Sequence, residues 1–135
     1  MKSLVHIYSI LILINLICFQ TKLGHAQDAV SDKVTEAISE GDASELSKLF
    51  NSTIDINIPE NDGTYSKNQA EIIVKKFFKK NPVTKFSINH SGSSNDGSKY
   101  SIGTYLSNDK TYRVYFLLKK TLEKYFIQQL QFELE

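Results

Sequence analysis

Apolar residues recur along this chain with two different periods, a helical one early and an alternating one late. Val30, Val34, Ala37 and Ile38 fall at i, i+4, i+7 and i+8, a single stripe that predicts an amphipathic helix over Asp28–Glu40. Gly41 supplies its end. Asp42 and Glu45 have capping-box spacing, so a short second helix follows, burying Leu46, Leu49 and Phe50. Thr53–Ile58 then alternates strictly, with Ile54, Ile56 and Ile58 opposite Thr53, Asp55 and Asn57. That is a strand with one wet face, closed by Pro59 and a turn at Asp62-Gly63. The helical period returns over Ser66–Lys80. Ser66 and Gln69 form a second capping box, and Ala70, Ile73, Val74, Phe77 and Phe78 fill the helical template before Pro82 blocks continuation.

From Thr84 the pattern is strand and turn. Thr84–His90 alternates with Phe86 and Ile88 inward, and His90 is in phase with them if the strand is regular. Ser91–Ser98 reads as a Gly/Ser/Asn loop, Lys99–Leu106 as a strand, and Asn108-Asp109 as a hairpin turn. Thr111–Lys119 and Lys124–Leu134 complete the set. Helices first and antiparallel strands afterwards predict an α+β fold, with the helices on one face of a sheet. In Thr111–Lys119, Tyr112, Val114, Phe116 and Leu118 share one face while Tyr115 and Leu117 lie on the other. A strand apolar on both sides is covered on both. Helices cover only one, so the second meets a curled part of the sheet, a pocket or another subunit.

The first 26 residues change the chemistry available. Lys2 precedes an apolar stretch from Leu4 to Phe19, and Gly24 and Ala26 flank His25; this is the order of a cleaved signal peptide. The densest apolar run, Ile10–Phe19, is half the length of a membrane span. Ile17 before Cys18 is too bulky for a lipoprotein signal. Cleavage after Ala26 leaves 27–135 as one small domain with no membrane span, exported to the periplasm or the cell exterior. The only Cys, Cys18, leaves with the peptide, so neither a disulfide nor a thiol-ligated metal site is available. The whole chain has 16 basic and 15 acidic residues. That balance argues against a nucleic-acid binder.

Few side chains stand out as chemistry. His90 is the single His after cleavage, a candidate base or hydrogen-bond donor. No second His or Cys completes a metal site, and Asn95-Asp96 reads as a turn former. Arg113, the sole Arg, suits carboxylate or phosphate recognition, with Glu133 as a cross-strand partner in the plainer reading. Lys75, Lys76, Lys79 and Lys80 crowd one helix end; they suit anionic lipid or polysaccharide, but the dipole at a helix C-terminus also favours them there as a solvated face. No catalytic residue, cofactor or metal is assigned.

The segments GDASELSKLFNSTIDINIP, YSKNQAEIIVKKFFKKNP, GSSNDGSKYSIGTY and TYRVYFLLKK resemble small exported bacterial proteins of domain-of-unknown-function family 4783. The order of elements resembles the nuclear transport factor 2-like, or cystatin-like, fold. The resemblance covers nearly all of residues 28–135 and departs at Thr121-Leu122, where a turn richer in Gly is expected. It implies a cone, with helices wrapped by a strongly bent sheet, a cavity at the open end and frequent dimerisation through the sheet. The catalytic motifs of enzymes on this fold align nowhere on this chain.

The resulting expectation is a small ligand-binding or protein-interaction module, self-associating through its sheet or taking an apolar or amphipathic ligand. If the last two strands form a hairpin, Tyr115, Leu117, Tyr125 and Ile127 share one face, joined by Tyr105. Val114, Phe116, Leu118, Phe126 and Leu130 form the other. One strand bulge would exchange the faces. The competing class is a fold-typical isomerase or hydrolase using His90, Asp55 or a Tyr.

Overall fold

A computed structural model describes residues 25–135; the proposed signal segment therefore lies almost entirely outside the described residues. Helix α1 (His25–Glu40) ends at Gly41, whose φ of 65° is a conformation glycine adopts without strain. Helix α2 (Ala43–Ser47) is capped by Asp42, whose Oδ1 accepts the backbone N–H of Glu45 at 2.9 Å. Strand β1 (Phe50–Ile58) leads into β2 (Asn61–Ser66), and helix α3 (Lys67–Lys80) follows. The remainder is β3 (Lys85–Ser93), β4 (Lys99–Ser107), β5 (Lys110–Thr121) and β6 (Lys124–Leu134). The α3 cap is the reciprocal box: Ser66 Oγ accepts from Gln69 N at 3.3 Å, and Gln69 Oε1 accepts from Ser66 N at 3.2 Å.

The six strands form one curved sheet in the order β2-β1-β6-β5-β4-β3. All neighbours are antiparallel except β1 and β6, which run parallel. The helices precede or interrupt the sheet and pack on one of its faces. This is the α+β architecture, with two elements differing from the sequence pattern. Phe50 opens β1 instead of closing the second helix, and its side chain is buried in the sheet core. The turn expected at Asp62-Gly63 lies instead within a short edge strand, Asn61–Ser66, that pairs with β1 from Thr53↔Ser66 to Ile58↔Asn61. It carries almost no apolar residue, because an edge strand has one neighbour and a wet outer side.

The inner face holds one core. Val34 and Ile38 of α1, Leu46 of α2 and Val74, Phe77 and Phe78 of α3 meet Ile54, Tyr105, Tyr112, Val114, Phe116 and Phe132 of the sheet. Phe77 is central, its ring 4.6 Å from Phe132 and 5.2 Å from Tyr112 between centroids.

Two bulges decide which side chains enter this core. In β3 the register steps from Ile88↔Gly103 to His90↔Ile102, so Asn89 is an extra residue. In β6 it steps from Leu117↔Gln129 to Leu118↔Ile127, leaving Gln128 unpaired. Each bulge reverses the alternation beyond it. Ile127 is accordingly buried beside Leu118, and Phe126, opposite Lys119, falls on the outer side and is only half-buried. Both assignments are the reverse of those expected from unbroken alternation. The predicted 91–98 loop shrinks to 94–98, where Asp96 Oδ1 accepts from Ser98 N at 3.0 Å and Ser98 Oγ at 2.6 Å. Those two bonds hold the Asp96 carboxyl below its usual value.

Candidate functional site

The outer face of the sheet is built from the alternate residues of its strands. Tyr100, Ile102, Thr104 and Leu106 of β4 stand opposite Leu117, Tyr115, Arg113 and Thr111 of β5. On the other side of β5, Arg113 faces Glu133, Tyr115 faces Gln131 and Leu117 faces Gln129. Tyr100, Ile102, Leu106, Tyr115, Leu117 and Phe126 are half-exposed, whereas the inward residues between them are almost fully buried. Tyr100 and Tyr115 stack at 6.3 Å with 22° between planes. Partial burial, then the neighbouring Tyr100, pushes the Tyr115 phenol up. Polar residues surround this apolar centre: Arg113 and Glu133 at one end, Gln129 and Gln131 on β6, Asp55 and Asn57 on β1, and His90 and Asn89 on β3.

Of the residues singled out from the sequence, Tyr115, Leu117 and Arg113 lie together on this face. His90 joins them at the β3 edge, exposed, with Nε2 3.1 Å from Tyr100 Oη. It is not in phase with Phe86 and Ile88, because the Asn89 bulge turns it outward. Tyr105 is absent from the face; it is fully buried on the inner side, where its hydroxyl donates to the Asn81 carbonyl at 2.6 Å. Tyr125 shares inward parity with Lys120 and reaches the Gly97 carbonyl at 3.3 Å. Asp55 is exposed on β1 and accepts from Thr64 Oγ1 at 2.6 Å. Strands β6, β5 and β4 lie between it and His90, so the two line no common cavity.

Sequence reasoning missed Tyr100, Ile102, Leu106 and Phe126. The first three were legible as an alternating set in the β4 segment. Phe126 was not, because the Gln128 bulge reverses it.

On the inner side, Tyr112 Oη donates to Asn81 Oδ1 at 2.8 Å and Asn81 Nδ2 donates to the Phe77 carbonyl at 3.2 Å. Burial pushes both the Tyr105 and Tyr112 phenols up. These rings and their Asn81 anchor fill the centre of the inner face. A cavity of about 580 Å³ lies between α1, at Ser31, Asp32 and Thr35, and the sheet, where Ile88, Lys99 and Leu118 line it and Gly92 and Tyr100 reach its edge. Among the described residues, no group of three His, Cys, Asp or Glu side chains is placed to hold a metal ion. No described helix is long and apolar enough to cross a membrane.

Helices wrapped by a bent six-stranded sheet are the fold of nuclear transport factor 2-like proteins. A structure of such a protein, of unknown function, from Silicibacter pomeroyi superposes with a TM-score of 0.59 at 10% identity, covering 82% of this chain and 93% of that one. The family model "Domain of unknown function (DUF4783)" matches residues 31–133, and the chain belongs to that family. Two solved structures of members of that family are similar to this chain. The one from Bacteroides uniformis has a TM-score of 0.72 at 29% identity, covering 77% of this chain and 95% of that one. The one from Bacteroides ovatus has a TM-score of 0.71 at 29% identity, covering 76% and 93%. No curated protein matches the chain.

Proposed function

We propose that this protein is an exported, non-catalytic interaction module that pairs with a second copy of itself through the outer face of its sheet. The observation that carries the reading is the half-exposed cluster of Tyr100, Ile102, Leu106, Tyr115, Leu117 and Phe126 inside a polar rim. An apolar, aromatic centre within a hydrated rim is the anatomy of a protein interface. Five strands of about nine residues span roughly 24 Å by 30 Å, or about 700 Å², close to the ~800 Å² per partner of a stable dimer. Arg113 and Glu133 stand side by side on the same face. A two-fold axis brings such a pair against its own copy with charges complementary, which favours self-pairing over a strongly charged partner. The separation of Asp55 from His90 supports a non-catalytic role.

Light scattering across micromolar to millimolar concentration tests the pairing. The expected result is a dimer that Tyr115→Asp or Leu117→Asp converts to a folded monomer, since an unpaired buried charge is costly. A wild-type monomer throughout that range sinks the reading. For export, intact-mass measurement of protein from the native host should give a chain beginning at Gln27. Retention of residues 1–26, or lipid on Cys18, would overturn it.

A further inference from the structure

The lysines at the end of α3 do more than face solvent. Lys76 and Lys80 are one helical turn apart and border a groove of about 300 Å³ between α3, the β1–β2 turn and the start of β5, where Lys110 joins them. Volumes near 300 Å³ are the lower end for ligand pockets. Three lysines meet one acid there, Glu60. Lys80 Nζ lies 3.3 Å from Glu60 Oε1, while Lys76 and Lys110 have no ion-pair partner within 4 Å among the described residues. Among the residues that line the groove, the lysines outnumber the acids.

Its wall is apolar. Ile58, Ile73 and Leu134 line it, and Leu134 is 56% exposed, one of three large hydrophobic side chains left so open among the described residues. Leu134 thus leaves apolar surface in water beside the lysine rim, surface that a hydrocarbon chain would cover. The floor is Tyr112 and Asn81, whose polar atoms already bond one another and the end of α3. With no unpaired donor below, recognition falls to the lysine rim and the apolar wall.

We propose that this groove binds a small amphipathic anion, a carboxylate or phosphate monoester bearing a short hydrocarbon chain. The head group lies among Lys76, Lys80 and Lys110, and the chain covers Ile73 and Leu134. The site is separate from the outer sheet face, so it stands whether or not the protein dimerises.

Nuclear magnetic resonance titration of the exported protein with octanoate tests it, with octyl phosphate, acetate and octanol as comparison probes, all below micelle concentrations. Octanoate and octyl phosphate should saturably shift Ile73, Lys110 and Leu134, with acetate and octanol at least tenfold weaker. Combining Lys76→Gln, Lys80→Gln and Lys110→Gln should weaken octanoate at least tenfold and leave octanol unchanged, and Glu60→Gln should tighten octanoate. Absence of saturable binding, or octanoate binding that the triple variant leaves intact, overturns the proposal. So does retention on phosphatidylglycerol vesicles, but not phosphatidylcholine vesicles, without any response of the groove to the two soluble anions. That result would assign the lysines to a membrane surface.

Discussion

His90 Nε2 lies 3.1 Å from Tyr100 Oη on the outer face of the sheet, and it does so because Asn89 adds one residue to β3 between Ile88↔Gly103 and His90↔Ile102. In an unbulged strand that kept Asn89 as an ordinary alternating residue, position 90 would share the inward parity of Phe86 and Ile88. Deleting Asn89 removes residue and bulge together, so Ile88 stays inward and His90 outward. We expect the deletion variant to fold, losing about 1 kcal/mol with the exposed bond from Asn89 Nδ2 to Thr104 Oγ1. Urea denaturation measures the loss, and a retained His90–Tyr100 ring contact in solution checks the geometry.

Asn81 is the anchor of the inner face. It is buried, and it receives the Tyr105 hydroxyl on its backbone carbonyl and the Tyr112 hydroxyl on its side chain. Asn81→Leu strands the Tyr112 hydroxyl in the core and should destabilise the fold by about 2–4 kcal/mol, measured by urea denaturation.

The same network sets an alkaline limit. Burial raises both phenols, so the folded state favours their neutral forms. Their stabilisation is complete below the unfolded tyrosine value of about 10 and is lost as pH rises through the higher folded values. Stability measured in urea between about pH 8 and 11 should fall at the alkaline end. In the Tyr105→Phe, Tyr112→Phe double variant that fall should be shallower. An equally steep fall would place its origin elsewhere.

What the sequence reveals follows from how local each signal is. The Ser66 and Gln69 cap, the Phe77 and Phe78 stripe and the two-faced Thr111–Lys119 strand are encoded within a few residues, and each appears in the structure as read. Phe50 and Asn61–Ser66 follow tertiary pairing. Phe50 is drawn into β1 by the parallel alignment with β6, beside Ile127, and the polar Asn61–Ser66 becomes a strand only because β1 offers it an edge. Bulges have no residue signature here. Asn89 and Gln128 look like ordinary alternating positions, yet they decide the orientation of His90, Phe126 and Ile127. The outer face was therefore half legible: its β5 residues followed from alternation, while its β3 and β6 contributions required the register.

The β5–β6 turn carries removable strain. Leu122 and Glu123 have φ of 49° and 66°, within the two-residue loop closed by Thr121↔Lys124. Positive φ at both positions favours Asn-Gly, and each ordinary side chain there costs roughly 1–2 kcal/mol. Leu122 is 93% exposed and gains no packing in return. Replacing the pair by Leu122→Asn and Glu123→Gly should raise stability by about 1–3 kcal/mol, read from thermal or urea denaturation. The Lys120–Glu123 ion pair lost in the change is exposed and contributes little.

Gly92 offers a way to disturb the outer face without introducing a charge. It pairs with Tyr100 across β3 and β4, and a Cβ placed there would lie 2.5 Å from Tyr100 Oη and 2.6 Å from Cζ. The tyrosine ring therefore lies directly over the glycine, held in place by its stacking on Tyr115 and its bond to His90. In Gly92→Ala the ring must move, and because it is a half-exposed side chain it can rotate without shifting the backbone. Monomer stability should change by no more than about 1 kcal/mol, since alanine also restricts the unfolded chain. The displaced ring loses both contacts and roughens the centre of the proposed interface. The dimer dissociation constant, measured by analytical ultracentrifugation, should rise at least tenfold, equivalent to about 1.4 kcal/mol. Tyr100→Phe keeps the ring over Gly92 and against Tyr115 and should raise it far less. Equal dissociation constants for wild type and Gly92→Ala would remove Tyr100 from the interface and shift its centre toward Leu117 and Phe126.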